Sequence, residues 1–251
     1  MRAMIHANDP HDWKDLEHKV AGILTTTGMR ASRGVSVRTV RGPVVVDVVA
    51  HDATDNLDIL YLVECKHWNV AVPKSVVHSF RTVVHDSGAH VGLLVSRRGF
   101  QSGAHAAARS SNVRLLDWSE FQLLFLERWK AGRYAQLKPM LEEVFEYYDY
   151  VSAPIGNSIA GNRARMAEWE LLLRKHNCVA EANPWSRMVG ETTWPPALPS
   201  EIIIPDEHGM EVKCIAHDYA TLFDFVESRG AVALEDFRAF VAKYRTGPVG
   251  S

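Results

Sequence analysis

Cysteine is scarce in this 251-residue chain, with Cys65, Cys178 and Cys214 only. The three have no metal-binding spacing and cannot all pair within one chain, which is typical of a reducing cytoplasm. No apolar run approaches the roughly 18 residues that span a bilayer, and the first 13 residues contain no apolar signal core. We therefore expect a cytoplasmic protein without a membrane-spanning segment.

The chain also lacks a large net charge, at −2, but its two halves differ. Residues 1–130 contain 16 Lys and Arg against 13 Asp and Glu, whereas residues 131–251 contain 12 against 17. The first half is therefore the better binder of polyanions, and the acidic second half argues against another general DNA-binding surface there. The length allows one large or two small domains, and we expect a boundary near residues 131–132 that divides the chain into residues 1–130 and residues 131–251.

Two adjacent strands bring acidic residues into an otherwise apolar region. The run VVVDVVA at residues 44–50 predicts a mostly buried strand that carries Asp47. Residues 59–66 predict a second strand, joined to the first by a polar, turn-prone segment. Because side chains alternate along a strand, Glu64 and Lys66 share one face and Cys65 lies on the other. A hairpin would therefore bring Asp47, Glu64 and Lys66 together.

Two carboxylates on hydrophobic strands repel each other and lose hydration unless a cation compensates. Mg²⁺ prefers such oxygen ligands together with water and substrate phosphates, and it can activate water for attack on phosphorus. Lys66 could orient that water or stabilise developing negative charge. The simpler alternative is a structural cluster in which Lys66 neutralises Glu64.

The surrounding pattern predicts the element order α-β-β-β-α-β-α-β, a central mixed sheet flanked by helices. The apolar stripe of residues 13–27 predicts the first helix, and Pro73 suits the first turn of the helix that follows the hairpin. The remaining expected elements are an edge strand at 35–41, the Pro73 helix to 84, strands at 90–96 and 113–116, and helices at 102–110 and 119–129.

This order and its residues resemble the PD-(D/E)xK nuclease superfamily, and more closely its Mrr-like restriction endonuclease branch, over about residues 10–130. The matching residues are Trp13, Glu17, Asp47, Glu64-Cys65-Lys66, Gly92 to Ser96, Gly99-Phe100, Ala104, Ala108 and Leu115 to Asp117. The resemblance implies an α/β, restriction-endonuclease-like core and a Mg²⁺-dependent DNA endonuclease that leaves 5′-phosphate ends, with Mn²⁺ as a substitute cation.

The resemblance also implies roles for individual residues. Asp47 and Glu64 would bind the metal, with the Cys65 carbonyl as an extra ligand. Lys66 would position or activate water, and Glu17 would act through a water on the metal or through a second metal. The glutamine that many relatives carry after the lysine is absent, which leaves this catalytic series intact.

Nucleic-acid contacts are expected from basic residues and from one serine around this core. Arg33, Arg38 and Arg41 precede the Asp47 strand and could contact phosphates. The alternative is a solvated strand edge that blocks aggregation. Lys74 is expected as an accessory contact, and Ser96 would help to shape the phosphate path before the Gly99-Phe100 turn.

Residues 131–251 match no family that we recognise and contain no helix-turn-helix, zinc-finger or P-loop signature. We expect a mostly helical region: helices at 134–150, 163–176, 219–228 and 234–244, and a hairpin of strands at 201–205 and 211–216. Its aromatic residues could stack bases, although a core or an interaction surface is the preferred interpretation: Tyr147, Tyr148, Tyr150, Trp185 and Trp194.

Three functions remain open at this point. The first is a restriction or phage-defence endonuclease, for which cutting both strands favours a homodimer or larger assembly. The second is a nuclease subunit that is silent until a partner or sensor protein docks on residues 131–251. The third is a non-catalytic nucleic-acid-binding scaffold, which the intact set of Glu17, Asp47, Glu64 and Lys66 disfavours.

Overall fold

The computed structural model describes residues 4–53, 57–148, 159, 161–182, 194–205 and 211–245. The chain forms two compact units, Met4–Arg133 and one composed mainly of Tyr134–Ser251. Within the described ranges, no helix combines the length and the apolar character needed to cross a bilayer.

The predicted element order of the first unit is confirmed. Its elements are α1 (Trp13–Thr26), β1 (Arg30–Thr39), β2 (Gly42–Asp52), β3 (Ile59–Lys66), α2 (Lys74–Asp86), β4 (Val91–Ser96), α3 (Ser102–Ala108), β5 (Val113–Asp117) and α4 (Trp118–Glu146). The five strands lie in the order β1-β2-β3-β4-β5. β1, β2 and β3 pair antiparallel, whereas β4 and β5 run parallel to β3. The result is the predicted mixed α/β sheet with flanking helices.

Helix α1 begins where the sequence provides a cap and is held by its apolar stripe. The Asp12 side chain accepts a hydrogen bond from the Asp15 N–H at 2.8 Å, which satisfies a donor of the first turn. The buried residues recur at helical spacing: Leu16, Val20, Ile23 and Leu24. This stripe packs against β1, β2 and β3. Glu17 lies beside the stripe and is half-buried.

Helices α2 and α3 share a second apolar cluster with the sheet. The buried residues of α2 are Val77, Phe80 and Val84, and they join Leu62 of β3 and Leu94 of β4 in this cluster. Fully burying one such side chain contributes roughly 1.5–3 kcal/mol. The packing fixes β3 and β4 in a parallel ladder whose register sets Lys66 beside Ser96.

Two helices are longer than expected. α4 continues through Ala131 and Pro139 to Glu146, where a break between two helices was predicted. Leu137 and Leu141, on either side of the proline, are both buried, so packing holds the helix through a residue that normally interrupts it. The two helices predicted at 219–228 and 234–244 are likewise one helix, α7 (Tyr219–Arg245). Gly230 lies within this helix at a close approach to Met140. A Cβ at position 230 would lie 2.4 Å from the Met140 side chain, which accounts for a glycine there.

The second unit is mostly helical, as predicted. Its further elements are α5 (Arg163–Lys175), α6 (Asn177–Ala180) and the antiparallel pair β6 (Ser200–Pro205) and β7 (Glu211–Ala216), which confirms the expected hairpin. Tyr147 stacks on Phe237 with ring centroids 4.8 Å apart, and it is buried. Tyr147 is therefore a core residue. Tyr150 and Trp185 lie outside the described residues.

Candidate active site

The β2–β3 ladder ends immediately before the two predicted metal ligands. Paired residues run from Asp52 with Ile59 to Val48 with Val63, and pairing stops there. Beyond this point the Cys65 N–H donates to Asp47 Oδ2 at 2.7 Å. The Asp47 carboxylate thus takes the place of a backbone acceptor where the strands separate. This bond holds the Asp47 side chain next to the peptide that follows Glu64.

Glu64 and Lys66 form an ion pair on the same face of β3. Lys66 Nζ donates to Glu64 Oε1, and the side chains are 17% exposed for Lys66 and 23% for Glu64. Burial is the largest cause that raises the pKa of Glu64, and the charge of Asp47 adds to it, while Lys66 opposes both. The lysine therefore compensates only part of the free-energy cost of ionising Glu64, which is partly buried and lies near a second carboxylate.

Glu17 extends this group from helix α1. Burial raises the pKa of Glu17, and the negative charges of Asp47 and Glu64 raise it further. Arg33 and Lys66 oppose the rise. The four predicted catalytic residues therefore lie within electrostatic reach of one another, with Arg33 of β1 at the same group.

The donor set suits a hard divalent cation. Across the ranges that the structure describes, no three side chains of His, Cys, Asp or Glu converge closely enough to hold one ion. A cation here would accordingly rest on the oxygens of Asp47 and Glu64, completed by water, a backbone carbonyl or substrate, which is the usual environment of Mg²⁺. Burial, with the charge of Asp47 added to it, keeps the pKa of Glu64 raised, and such an ion would offset the cost of the ionised carboxylates.

The Cys65 thiol takes no part in this group of oxygens. Its side chain is 7% exposed, and burial raises the pKa of the thiol, with the charge of Asp47 as the next cause. A protonated, buried thiol is a poor nucleophile and a poor ligand. Only the backbone of Cys65 is suited to the site, and the role of its carbonyl as a ligand stays a prediction.

The predicted nucleic-acid contacts are not gathered in one place. The charge of Arg33 reaches Glu17 and opposes the rise in its pKa, whereas Arg41 forms an ion pair with Asp86 at the end of α2, with Nε and Oδ2 3.0 Å apart. Arg38 is exposed on β1, and Lys74 is exposed at the first residue of α2. Ser96 is fully buried, and its hydroxyl donates to the Gly99 carbonyl at 3.0 Å. Ser96 therefore shapes the turn and does not meet a phosphate directly.

We expect Glu64→Gln to raise the free energy of unfolding of the metal-free protein by about 0.5–1 kcal/mol at pH 7 to 8. A carboxyl whose pKa is raised by folding favours the fold only while protonated, so its ionised form destabilises the protein as pH rises past the ordinary glutamate range. Urea unfolding in EDTA measures this effect.

The matched control for this substitution is Glu142→Gln. Glu142 pairs with Lys138 on an exposed helix surface, 3.6 Å apart, and loss of such a pair changes stability by less than about 1 kcal/mol. A Glu64→Gln protein less stable than wild type in EDTA would show that the carboxylates are not in net repulsion.

The family comparison supports a restriction-endonuclease-type domain within the first unit. Residues 9–125 match the Mrr_cat family model, described as restriction endonuclease, and this range contains all four predicted catalytic residues. Among curated proteins, none matches the chain. A crystal structure of a protein of unknown function, AF1548, is 15% identical over 89% of this chain and 97% of its own, with a TM-score of 0.39. At that TM-score the likeness carries no structural or functional conclusion.

Proposed function

Because residues 9–125 belong to the Mrr-like restriction endonuclease family, we propose that this protein is a Mg²⁺-dependent DNA endonuclease of the restriction or phage-defence type, acting in the cytoplasm. The observation that carries the proposal is the bond from the Cys65 N–H to Asp47 Oδ2, 2.7 Å long. It fixes one carboxylate beside another at the point where β2 and β3 separate. A purely structural ion pair between Glu64 and Lys66 has no need of that second carboxylate.

In this proposal Asp47, Glu64 and the Cys65 carbonyl hold Mg²⁺, and Mn²⁺ can replace it. When bound, the ion polarises the phosphate and lowers the pKa of water. Asp47 contributes a carboxylate whose position is already set by the Cys65 peptide. Glu64 contributes a second carboxylate, whose charge is poorly compensated when no metal ion is bound.

Lys66 and Glu17 act on the water and on the phosphate. The Lys66 ammonium has three N–H donors, so it can keep its bond to Glu64 while it orients the attacking water or stabilises a phosphate oxygen. Glu17 approaches from α1 and can accept a hydrogen bond from water. Water attacks phosphorus in line, the bond to the 3′ oxygen breaks, and the phosphate remains on the 5′ end.

Basic side chains near the site would hold the DNA backbone. Arg33, whose charge acts on Glu17, is the best placed, and exposed Arg38 and Lys74 extend the basic surface. Arg41 can contribute only part of its charge, since Asp86 neutralises it. Such contacts position the substrate without reading its sequence and make affinity dependent on salt.

A second candidate function is a nuclease subunit that is activated by a partner protein. It is favoured by the charge of the second half, where 17 Asp and Glu outnumber 12 Lys and Arg. We propose that residues 131–251 dock a partner, join copies of this chain or recognise the target. A dimer would supply the two active sites needed to cut both strands. A non-catalytic scaffold is the least favoured alternative.

End-labelled duplex DNA, single-stranded DNA and RNA, incubated with Mg²⁺, Mn²⁺ or EDTA, test the proposal. We expect cleavage with either metal, none in EDTA, and 5′-phosphate product ends that ligase accepts without further treatment. Cleavage that persists in EDTA would contradict the proposal. If no substrate is cut, metal binding separates the alternatives: binding points to a partner-activated nuclease, and no binding points to a scaffold.

A further inference from the structure

Two tryptophans beside the carboxylate group are exposed to solvent. Trp13 is 55% exposed and Trp68 is 40% exposed. Trp13 lies one helical turn before Glu17 on α1, on the same side of that helix. Trp68 follows Lys66 by two residues. Large exposed aromatic side chains mark interaction surfaces, and each of these two lies within four residues of a candidate active-site residue.

The segment that carries Trp68 is held firmly by backbone and side-chain bonds. Its neighbour His67 donates from Nε2 to the Pro10 carbonyl at 2.9 Å, which ties this segment to the residues before Trp13. The Arg97 N–H donates to the Lys66 carbonyl at 3.1 Å, and Arg97 Nη1 donates to Asn69 Oδ1 at 3.1 Å. The exposure of Trp68 is therefore a property of a fixed loop.

Each ring has a lysine beside it. Lys66 Nζ lies 5.7 Å from the centroid of the Trp68 ring, and Lys14 Nζ lies 5.4 Å from that of Trp13. An aromatic face next to an ammonium is the combination that binds single-stranded nucleic acid, because the ring stacks on a base while the cation meets a phosphate. In a duplex the base faces are covered by their neighbours, so these rings can stack only on an unpaired base.

We propose that Trp68, assisted by Trp13, stacks on an unpaired base next to the scissile phosphate. The preferred substrate is then single-stranded DNA, or a duplex that is melted at the cleavage position. The role in substrate choice rests on the proposed nuclease function, whereas the stacking itself does not require catalysis. Trp68 would position the substrate and set specificity without touching the reacting atoms.

Fluorescence anisotropy with labelled 12-nucleotide single strands and with a 12-base-pair duplex, in EDTA, tests the stacking. We expect Trp68→Ala to weaken single-strand binding about tenfold and Trp13→Ala to weaken it less. Trp68→Phe, which keeps an aromatic face, should stay within about threefold of wild type. Leu57→Ala removes a side chain that is 62% exposed elsewhere in the first unit and serves as the control.

Single-strand binding that is the same in wild type, Trp68→Ala and Trp13→Ala would overturn the proposal. Equal losses of affinity for the single strand and for the duplex would also overturn it, because removal of a ring that stacks only on unpaired bases should not weaken the binding of a fully paired duplex. The Phe variant keeps the comparison informative if the Ala variant is unstable. Because binding is measured without metal, an enzyme that cuts nothing counts against a stand-alone nuclease and leaves this result standing, whereas cleavage together with unchanged binding by Trp68→Ala refutes the stacking alone.

Discussion

Lys66→Met is expected to lower the rate of DNA cleavage by about a thousandfold, since placing water and stabilising phosphoryl charge each contribute roughly 10²–10⁴ in rate. Methionine keeps the length and the apolar stem of lysine but has no N–H donor and no charge. Lys66 is the ammonium that contacts Glu64. Single-turnover cleavage with enzyme in excess of labelled DNA measures the chemical step.

Lys19→Met is the control for the loss of one ammonium from the same unit. Lys19 forms an ion pair with Asp15 at 2.9 Å, one turn apart on α1, and we expect its replacement to leave the cleavage rate unchanged. Lys66→Arg should recover only part of the rate, because a guanidinium differs in shape and donor geometry from an ammonium. A Lys66→Met enzyme within tenfold of wild type would show that Lys66 only neutralises Glu64.

Gly132→Ala is expected to lower the free energy of unfolding by about 2–3 kcal/mol. A Cβ on Gly132 would lie 1.8 Å from the carbonyl oxygen of Thr26. The neighbour is backbone at the last residue of α1, so the two helices would have to move apart. The intrinsic preference of alanine for helix has the opposite sign and is about 1 kcal/mol, so the clash dominates. Chemical denaturation followed by circular dichroism measures the change.

Gly22→Ala is the matched substitution in helix α1. No atom lies within 4 Å of the position that its Cβ would occupy, and we expect a gain of about 0.5–1 kcal/mol from helix propensity and reduced freedom of the unfolded chain. The two glycines should therefore respond with opposite signs. A Gly132→Ala protein as stable as wild type would mean that α1 and α4 are not held at this close approach.

The elements of the first unit could be predicted because local signals agree with the packing there. The apolar stripe of α1 matches the face that the fold buries, and most of the β-branched run around Asp47 is buried, although Val44 and Val45 are exposed. In residues 59–66, Leu62 and Val63 are both fully buried, so this strand is covered on both faces. The lengths of α4 and α7 could not be predicted in the same way. Pro139 signals a break that the buried side chains around it override, and tertiary packing of this kind is not visible in local sequence.

The candidate site residues could be proposed from the sequence, but their bonds could not. Asp47 and Glu64 lie just past the last paired residues of β2 and β3, so no ladder register could predict the bond from the Cys65 N–H to Asp47. Arg41 was grouped with Arg33 by proximity in sequence, whereas a long-range partner, Asp86, determines its surroundings. Base stacking was considered only for aromatic residues of the second half, whereas Trp68 lies two residues after Lys66, and that position was a usable signal.

Titration of Mn²⁺ into wild type and Asp47→Asn, followed by the loss of the free-ion electron paramagnetic resonance signal, tests the metal site without depending on catalysis. We expect a Mn²⁺ site in wild type that Mg²⁺ displaces and that Asp47→Asn loses. Glu142→Gln, which removes a surface carboxylate paired with Lys138, should bind as wild type does. Equal binding by wild type and Asp47→Asn, or no binding by wild type, would contradict a metal site formed by Asp47 and Glu64.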